Sequence, residues 1–357
     1  MKVYIKFISI IFFKSLFYVL LIMTCLVFLL NLMNELEFFK DKSVEIGYPL
    51  FLSILNSPSH IFELFPFILL ITVQLFFIKL FENRELDIFK YSGLKNSRII
   101  IIISILSLST GFLVVSLFYN ISSSFKNLYI ETKSSYTSDD EYLAVITKNG
   151  LWIKDKIENN ILIINSSSIK NQKLIKNFIT EFDENFNVIR NIQSNKIDIS
   201  RENWIIYDAK IYEKNNYTTL DKLNFKTNFD LKRIKTLYSN LSSLNLIKLY
   251  ELRENYKKLN YSIIDIDLHL FKVLLFPLFL LLISLFSSLI MLNIKEIKGT
   301  TFKISIGLFF SVIIYYLNNF SYVLGSTEKI PLFISIISPL IILTSINLIM
   351  LKNVNNK

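Results

Sequence analysis

The chain alternates between long uncharged apolar stretches and shorter mixed ones. Six stretches hold no Asp, Glu, Lys or Arg: residues 15–33, 64–78, 99–125, 273–294, 304–327 and 330–351. A bilayer accounts for that void, because a charge at mid-membrane costs about 3 kcal/mol. About 20 residues of helix cross the hydrocarbon core, so each stretch reads as a transmembrane helix. The second is short, and its span is expected over 61–80, with Glu63 and Lys79 near opposite interfaces. Between the third and fourth spans the pattern changes. Short apolar runs rich in Ile, Tyr, Phe and Trp occupy 142–147, 151–154, 161–165, 175–182, 197–199, 204–212 and 223–229, separated by Asn, Asp, Ser and Gly. Such runs read as strands of a sandwich or open barrel. Leu249, Leu252, Tyr256 and Leu259 then recur at three- and four-residue spacing, which predicts a helix over about 244–259 with Ser242 and Ser243 as caps. The expected fold is a membrane α-helical bundle of six transmembrane helices (3+3) with an inserted all-β domain. Residues 1–125 hold the first three spans, 126–269 the β-domain and 270–357 the last three.

Composition sharpens this reading. A chain that is 52% hydrophobic and 19% charged is unusual for a soluble domain, unless the two residue classes are segregated as here. Charge also sets orientation, because Lys and Arg in short loops mark the cytoplasmic side. The loop after span two has Lys79, Arg84, Lys90, Lys95 and Arg98; the loop after span four has Lys295, Lys298 and Lys303; the tail has Lys352 and Lys357. The loop after span one is acidic on balance, with Glu35, Glu37, Asp41 and Glu45 against Lys40 and Lys42. Both termini are therefore expected in the cytoplasm of a bacterium and the β-domain in its periplasm, the protein being a multi-pass resident of the inner membrane. The first span follows Lys2, Lys6 and Lys14 but lacks a small-residue cleavage site, so it reads as a retained helix. With Cys25 as the single cysteine, the β-domain must be stable without a disulfide.

The usual catalytic constellations are missing. The seven glycines are too scattered for a phosphate-cradling loop. The two histidines, His60 and His269, are far apart, and no paired cysteines accompany them, which argues against a zinc site. No G-x-S-x-G elbow is present, and nothing singles out a Ser–Lys dyad. The chain is expected to be non-catalytic and free of cofactors; if it moves something uphill, another chain must supply the ATP site.

Three local sequences stand out. The first is Glu82-Asn83-Arg84-Glu85-Leu86-Asp87-Ile88-Phe89-Lys90-Tyr91-Ser92-Gly93. A short helix there carries charge at one end (Arg84, Glu85, Asp87), apolar knobs along it (Leu86, Ile88, Phe89) and a natural stop at Gly93. It could serve a cytosolic partner, or be a solvated loop held by internal ion pairs. The second is Asn149-Gly150-Leu151-Trp152-Ile153-Lys154-Asp155, by itself a hairpin with a core tryptophan. The third is His269-Leu270-Phe271-Lys272 leading to Pro277, where Lys272 either snorkels to the head groups or meets an anionic lipid.

These segments and the overall layout resemble the lipopolysaccharide-export permease family, the LptF/LptG (YjgP/YjgQ) type, over essentially the whole chain, with the second segment closer to LptG than to LptF. The resemblance implies a jellyroll-like periplasmic domain and a cytoplasmic coupling helix over about 82–93. On that helix Arg84, Glu85, Leu86, Asp87, Phe89 and Gly93 would serve docking on an LptB-like ATPase dimer. It implies as further partners an LptF-like or LptG-like second permease subunit, an LptC-like periplasmic protein and lipopolysaccharide. One departure concerns the lipid. Where many LptG-like members carry a basic residue in the last turn of span one, this chain has Asn31. Asn31, Lys40, Lys42 and Lys272 are therefore the candidate lipid contacts, with the partner subunit as another source of charge and a less phosphorylated lipid A as the further alternative. The implied function is extraction of lipopolysaccharide from the inner membrane and its transfer to a periplasmic bridge, driven by ATP hydrolysis in the separate ATPase. The apolar-rich spans one, two, five and six could line the lipid cavity. The competing reading is a membrane-tethered periplasmic sensor or structural binding protein with no ATPase partner. Another ABC-type membrane subunit is disfavoured by the 3+3 layout. Secondary transport is disfavoured by the near absence of mid-membrane ionisable residues.

Overall fold

The computed structural model describes residues 3–352 apart from 42–43, 46, 135, 137–150, 158, 171, 214–215, 232–233, 235–239, 259–260 and 296–298. The chain divides into two compact units, Met1–Lys126 with Ile264–Lys357, and Asn127–Ile263.

The first unit is helical: α1 Val3–Phe38, α2 Gly47–Glu82, α3 Glu85–Tyr91 and α4 Asn96–Leu113. α4 runs through a π turn, Val114–Phe118, into α5 Tyr119–Ser134, whose second half belongs to the other unit. Among the described residues six segments are long and apolar enough to cross a membrane: α1, α2, Asn96–Lys133 and three helices near the C-terminus. α2 begins at Gly47, well before residue 61 where the second span was expected, because the polar residues Asn56, Ser57 and Ser59 turn inward.

At the other end of the sequence the fourth span is broken in two. Where 273–294 reads as one apolar run, α7 Ile264–Leu274 stops before Leu275, and Pro277 sits in the first turn of the next helix. Pro has no N–H to donate and is tolerated best at that position. The break brings Pro277 against α4. A Cβ on Gly111 would lie 2.7 Å from the Pro277 Cα, so only glycine permits this approach. The remaining helices are α8 Phe276–Asn293, α9 Thr300–Ser326 and α10 Leu332–Leu351. α2 and α8 form the centre. Leu70, Phe279, Ile283, Phe286, Leu340 and Leu343 make up much of the apolar core around them. Two side chains tie helices across it: Ser287 donates to the Leu70 carbonyl (3.0 Å) and Asn347 to the Leu282 carbonyl (3.0 Å).

The second unit is built on one six-stranded antiparallel sheet in strictly sequential order: β1 Leu151–Ile157, β2 Asn160–Lys170, β3 Lys173–Phe182, β4 Val188–Asp198, β5 Asn203–Glu213 and β6 Asn216–Lys226. The all-β reading therefore holds among the described residues; the run at 142–147 lies outside them. One face is buried, with Ile164, Ile179, Ile192 and Ile211 meeting across the strands. Trp204, fully buried, donates its indole N–H to the Phe229 carbonyl (2.6 Å).

Two expectations in this unit fail. Trp152 is 54% exposed and is no core residue. Strand alternation puts Leu151, Ile153 and Asp155 on the buried face and Trp152 on the other. Asp155, buried, accepts hydrogen bonds from the Asn228 backbone N–H (2.9 Å) and side-chain amide (2.8 Å). The helix near residue 250 is present as α6 Leu246–Lys258, with Leu249 and Leu252 buried, but Ser242 and Ser243 do not cap it. They form a separate 3-10 turn, and Asn245 accepts the Lys248 N–H (2.9 Å) at the start of α6.

Candidate functional site

The connection from α2 to α4 is compact. Arg84 adopts the left-handed conformation (φ 54°) and turns the chain into α3. At the other end Gly93 (φ 83°) closes the helix: its N–H bonds the Lys90 carbonyl (2.9 Å) and the Leu94 N–H reaches back to Phe89 (2.9 Å). This double reach-back needs a residue without a Cβ penalty at φ > 0. Leu86 is buried, and the Phe89 ring meets Phe7 of α1 edge-on at 5.9 Å. Glu85 accepts from the Asn83 amide (3.3 Å). Asp87 accepts from the Lys295 ammonium at 2.8 Å, and this bond holds its carboxyl below the usual aspartate range. Ile88 and Tyr91 point outward, 62% and 92% exposed. Of the six residues assigned to this loop, four lie on α3 and Arg84 and Gly93 flank its ends, with Leu86, Asp87 and Phe89 turned toward the rest of their own chain.

Sequence reading missed three contributors from the α8–α9 connection and the first turn of α9. Besides Lys295, Thr300 donates to Glu82 (3.1 Å), and the Lys303 ammonium lies 4.6 Å from the Phe81 ring centre while donating to the Lys295 carbonyl (3.1 Å). Only the basic character of both loops hinted at a meeting, and like charge argues the other way.

A second polar cluster lies near the other end of α2, about 35 Å away at 1.5 Å per residue. Asn31 is buried; its amide donates to the Ser57 hydroxyl (3.1 Å) and its carbonyl accepts from Asn56 (3.4 Å). Asn56 in turn accepts from the Lys126 ammonium at 2.6 Å. Lys126 was not among the candidates, because its position directly after the third span reads as an ordinary interfacial lysine. It brings a cation from the third span into the network of Asn31. Lys40 is exposed beyond the end of α1, and Lys42 lies outside the described residues. Lys272 is exposed on α7, with its ammonium 5.4 Å from the Tyr322 ring centre, and takes no part in the Asn31 network. Nearby on α7, His269 shares a 3.0 Å hydrogen bond with the buried Tyr119 hydroxyl. Among the described residues no group of His, Cys, Asp and Glu is placed to hold a metal ion.

What the arrangement can do is mechanical: one end of the bundle presents a short helix with an outward apolar tip, the other a buried polar network reached by a cation. No curated protein matches the chain. The family described as lipopolysaccharide export system permease LptF/LptG matches residues 7–353. With that match covering both clusters, all six spans and the inserted sheet, the chain belongs to the LptF/LptG family of lipopolysaccharide export permeases.

Proposed function

We propose that this chain is the transmembrane permease subunit of an ABC-type complex that lifts lipopolysaccharide from the inner membrane and passes it to a periplasmic bridge. ATP is hydrolysed in a separate LptB-like dimer. The complex includes a second LptF-like or LptG-like subunit and an LptC-like periplasmic protein, and both termini of this chain are cytoplasmic. Supporting that orientation, Arg84, Lys90, Lys95 and Arg98 in one loop and Lys295 and Lys303 in another meet at one end of the bundle.

The observation that carries the reading is the family match combined with the outward face of α3. Ile88 and Tyr91 are exposed on a helix whose other side is fixed, as a docking knob requires. Lipid acyl chains need an apolar route, since each methylene exposed to water costs about 0.8 kcal/mol. The outward faces of α1, α9 and α10, rich in Phe, Leu and Ile, offer such a surface together with a partner's spans. Asn31 with Lys126, and separately Lys40, Lys42 and Lys272, are the groups available to anionic head groups at the outer side.

The test is copurification from membranes in mild detergent. Glu85→Ala is expected to lower the recovered ATPase about tenfold, the loss of one charge-assisted contact. Unchanged assembly and unchanged transport remove the docking role. Recovery of neither an ATPase nor lipopolysaccharide with the unmodified chain supports the tethered-sensor reading.

A further inference from the structure

α3 has seven residues, too few to be stable by itself. Arg84, at its N-terminus, gives no side-chain cap. Its direction must therefore be set from outside. Two anchors are apolar: Leu86 is buried, and the Phe89 ring sits on Phe7. The third is polar and comes from 208 residues further along the chain, where Lys295 follows the end of α8.

Lys295 is itself seated. Its carbonyl accepts from the Lys303 ammonium, which lies over the Phe81 ring, and the Lys303 carbonyl accepts from the buried Gln74 amide (3.3 Å). Asp87, Lys295, Lys303, Phe81 and Gln74 therefore form a continuous chain of contacts from α3 back into α2, by way of the α8–α9 connection. An exposed ion pair contributes little to stability, about 0–1 kcal/mol. Here both side chains are partly exposed, 29% for Lys295 and 45% for Asp87, so anchoring the fold is not what this pair does best. What it adds is direction: it couples α3 to the end of α8, the most deeply packed span.

We propose that Lys295 is a positioning residue for energy coupling, holding α3 through Asp87 so that α3 moves with α8 when the bundle changes shape. This rests on the docking reading of α3 given above. It also separates the roles on that helix: Ile88 and Tyr91 meet the ATPase, whereas Asp87 works inside its own chain.

The test uses the whole complex, purified from membranes with its second permease subunit and ATPase, and reads both the ATPase recovered and ATP turnover with and without added lipopolysaccharide. Lys295→Gln is expected to leave ATPase recovery unchanged and to lower lipopolysaccharide-dependent turnover about fivefold, the scale of one exposed ion pair. Lys295→Arg keeps the pair and should keep the turnover. The exchange Asp87→Lys with Lys295→Asp is expected to regain at least half of the loss; Arg84 and Lys90 near position 87 keep it from being complete. Unchanged turnover in Lys295→Gln overturns the proposal, as does an exchange that restores nothing. If Asp87→Lys alone releases the ATPase while Lys295→Gln has no effect, Asp87 touches the ATPase directly and the proposal is wrong. Failure of the unmodified chain to bring down any ATPase removes the docking reading itself, and is distinct from all of these.

Discussion

Two sets of spans of nearly equal hydropathy meet different fates in this protein. The most apolar windows of α2 and α8 have mean hydropathies of 2.3 and 2.1 and are 67% and 72% buried. Those of α1, α9 and α10 have 2.5, 1.6 and 2.3 and are only 22%, 22% and 28% buried. Apolar content cannot sort them, because lipid tails are as apolar as leucine and give no hydrophobic reason to choose protein over bilayer. What separates the sets is how much of each helix is enclosed: both turn small and polar residues inward, such as Ser335 and Asn347 of α10, but the inner spans are covered on most sides. α8 buries Ser284, Ser287 and Ser288 completely, and α2 buries Ser53, Thr72 and Gln74. Close approach and internal hydrogen bonds hold the inner spans. The outer ones present Phe, Tyr and Ile outward, as at Phe309, Tyr316 and Phe320 of α9.

The strongest way to break this contrast is to spoil the closest approach. Gly111→Leu would drive its side chain into the Pro277 backbone, which cannot turn aside as a side chain can. The expected cost is about 3 kcal/mol, the upper part of the range for overpacking. Thermal unfolding of the purified protein in detergent checks it. A variant as stable as the parent would mean that α4 and α8 are not held by small-residue packing.

How far all this was legible follows from the same physics. The spans were readable because charge is forbidden in oil, and Gly93 because a helix stop at φ > 0 has few chemical solutions. The inward sides of the spans were not, since in a bilayer hydropathy does not vary with burial. Strand boundaries blurred for a local reason. Lys176 and Asp208 take positive φ (50° and 49°) inside β3 and β5, and each shifts the alternation by one residue. β6, exposed over most of its length, has no apolar face to display until Phe225. At the site, the Asp87–Lys295 pair was invisible because the two residues come together only once both halves of the bundle have packed. The place of Lys126 beside Asn56 is equally a product of packing.

A matched pair of phenylalanines sharpens the inner–outer contrast at a smaller cost. Phe286 is buried in the core of α8 and meets Phe310 edge-on at 5.6 Å; Phe309, next along α9, is 64% exposed. In a bilayer Phe→Ala forfeits little transfer energy, so the loss is mainly the packing left unmade around the cavity. Phe286→Ala should cost about 2 kcal/mol, and Phe309→Ala less than about 0.5 kcal/mol. The same unfolding measurement reads both. Equal costs would place Phe309 in a packed interface of the isolated chain and erase the distinction between the sets.

An effect about half that of Phe286→Ala tests where the sets touch. α9 is an outer span, yet Gly307 lies against the side chain of Gln74, an inner residue whose amide reaches the Lys303 carbonyl at 3.3 Å. A Cβ at position 307 would overlap that amide. The amide is the end of a flexible side chain, so it can swing away, giving up its hydrogen bond rather than the helix packing. Gly307→Ala is therefore expected to cost only about 1 kcal/mol, the net worth of one such bond. In a Gln74→Ala background the overlap is gone, and the same change at 307 should cost nothing measurable. A double-mutant cycle in detergent gives the coupling directly. If Gly307→Ala costs as much with Gln74 absent as with it present, the two residues act independently, and α9 is held to the inner spans by something other than this seat.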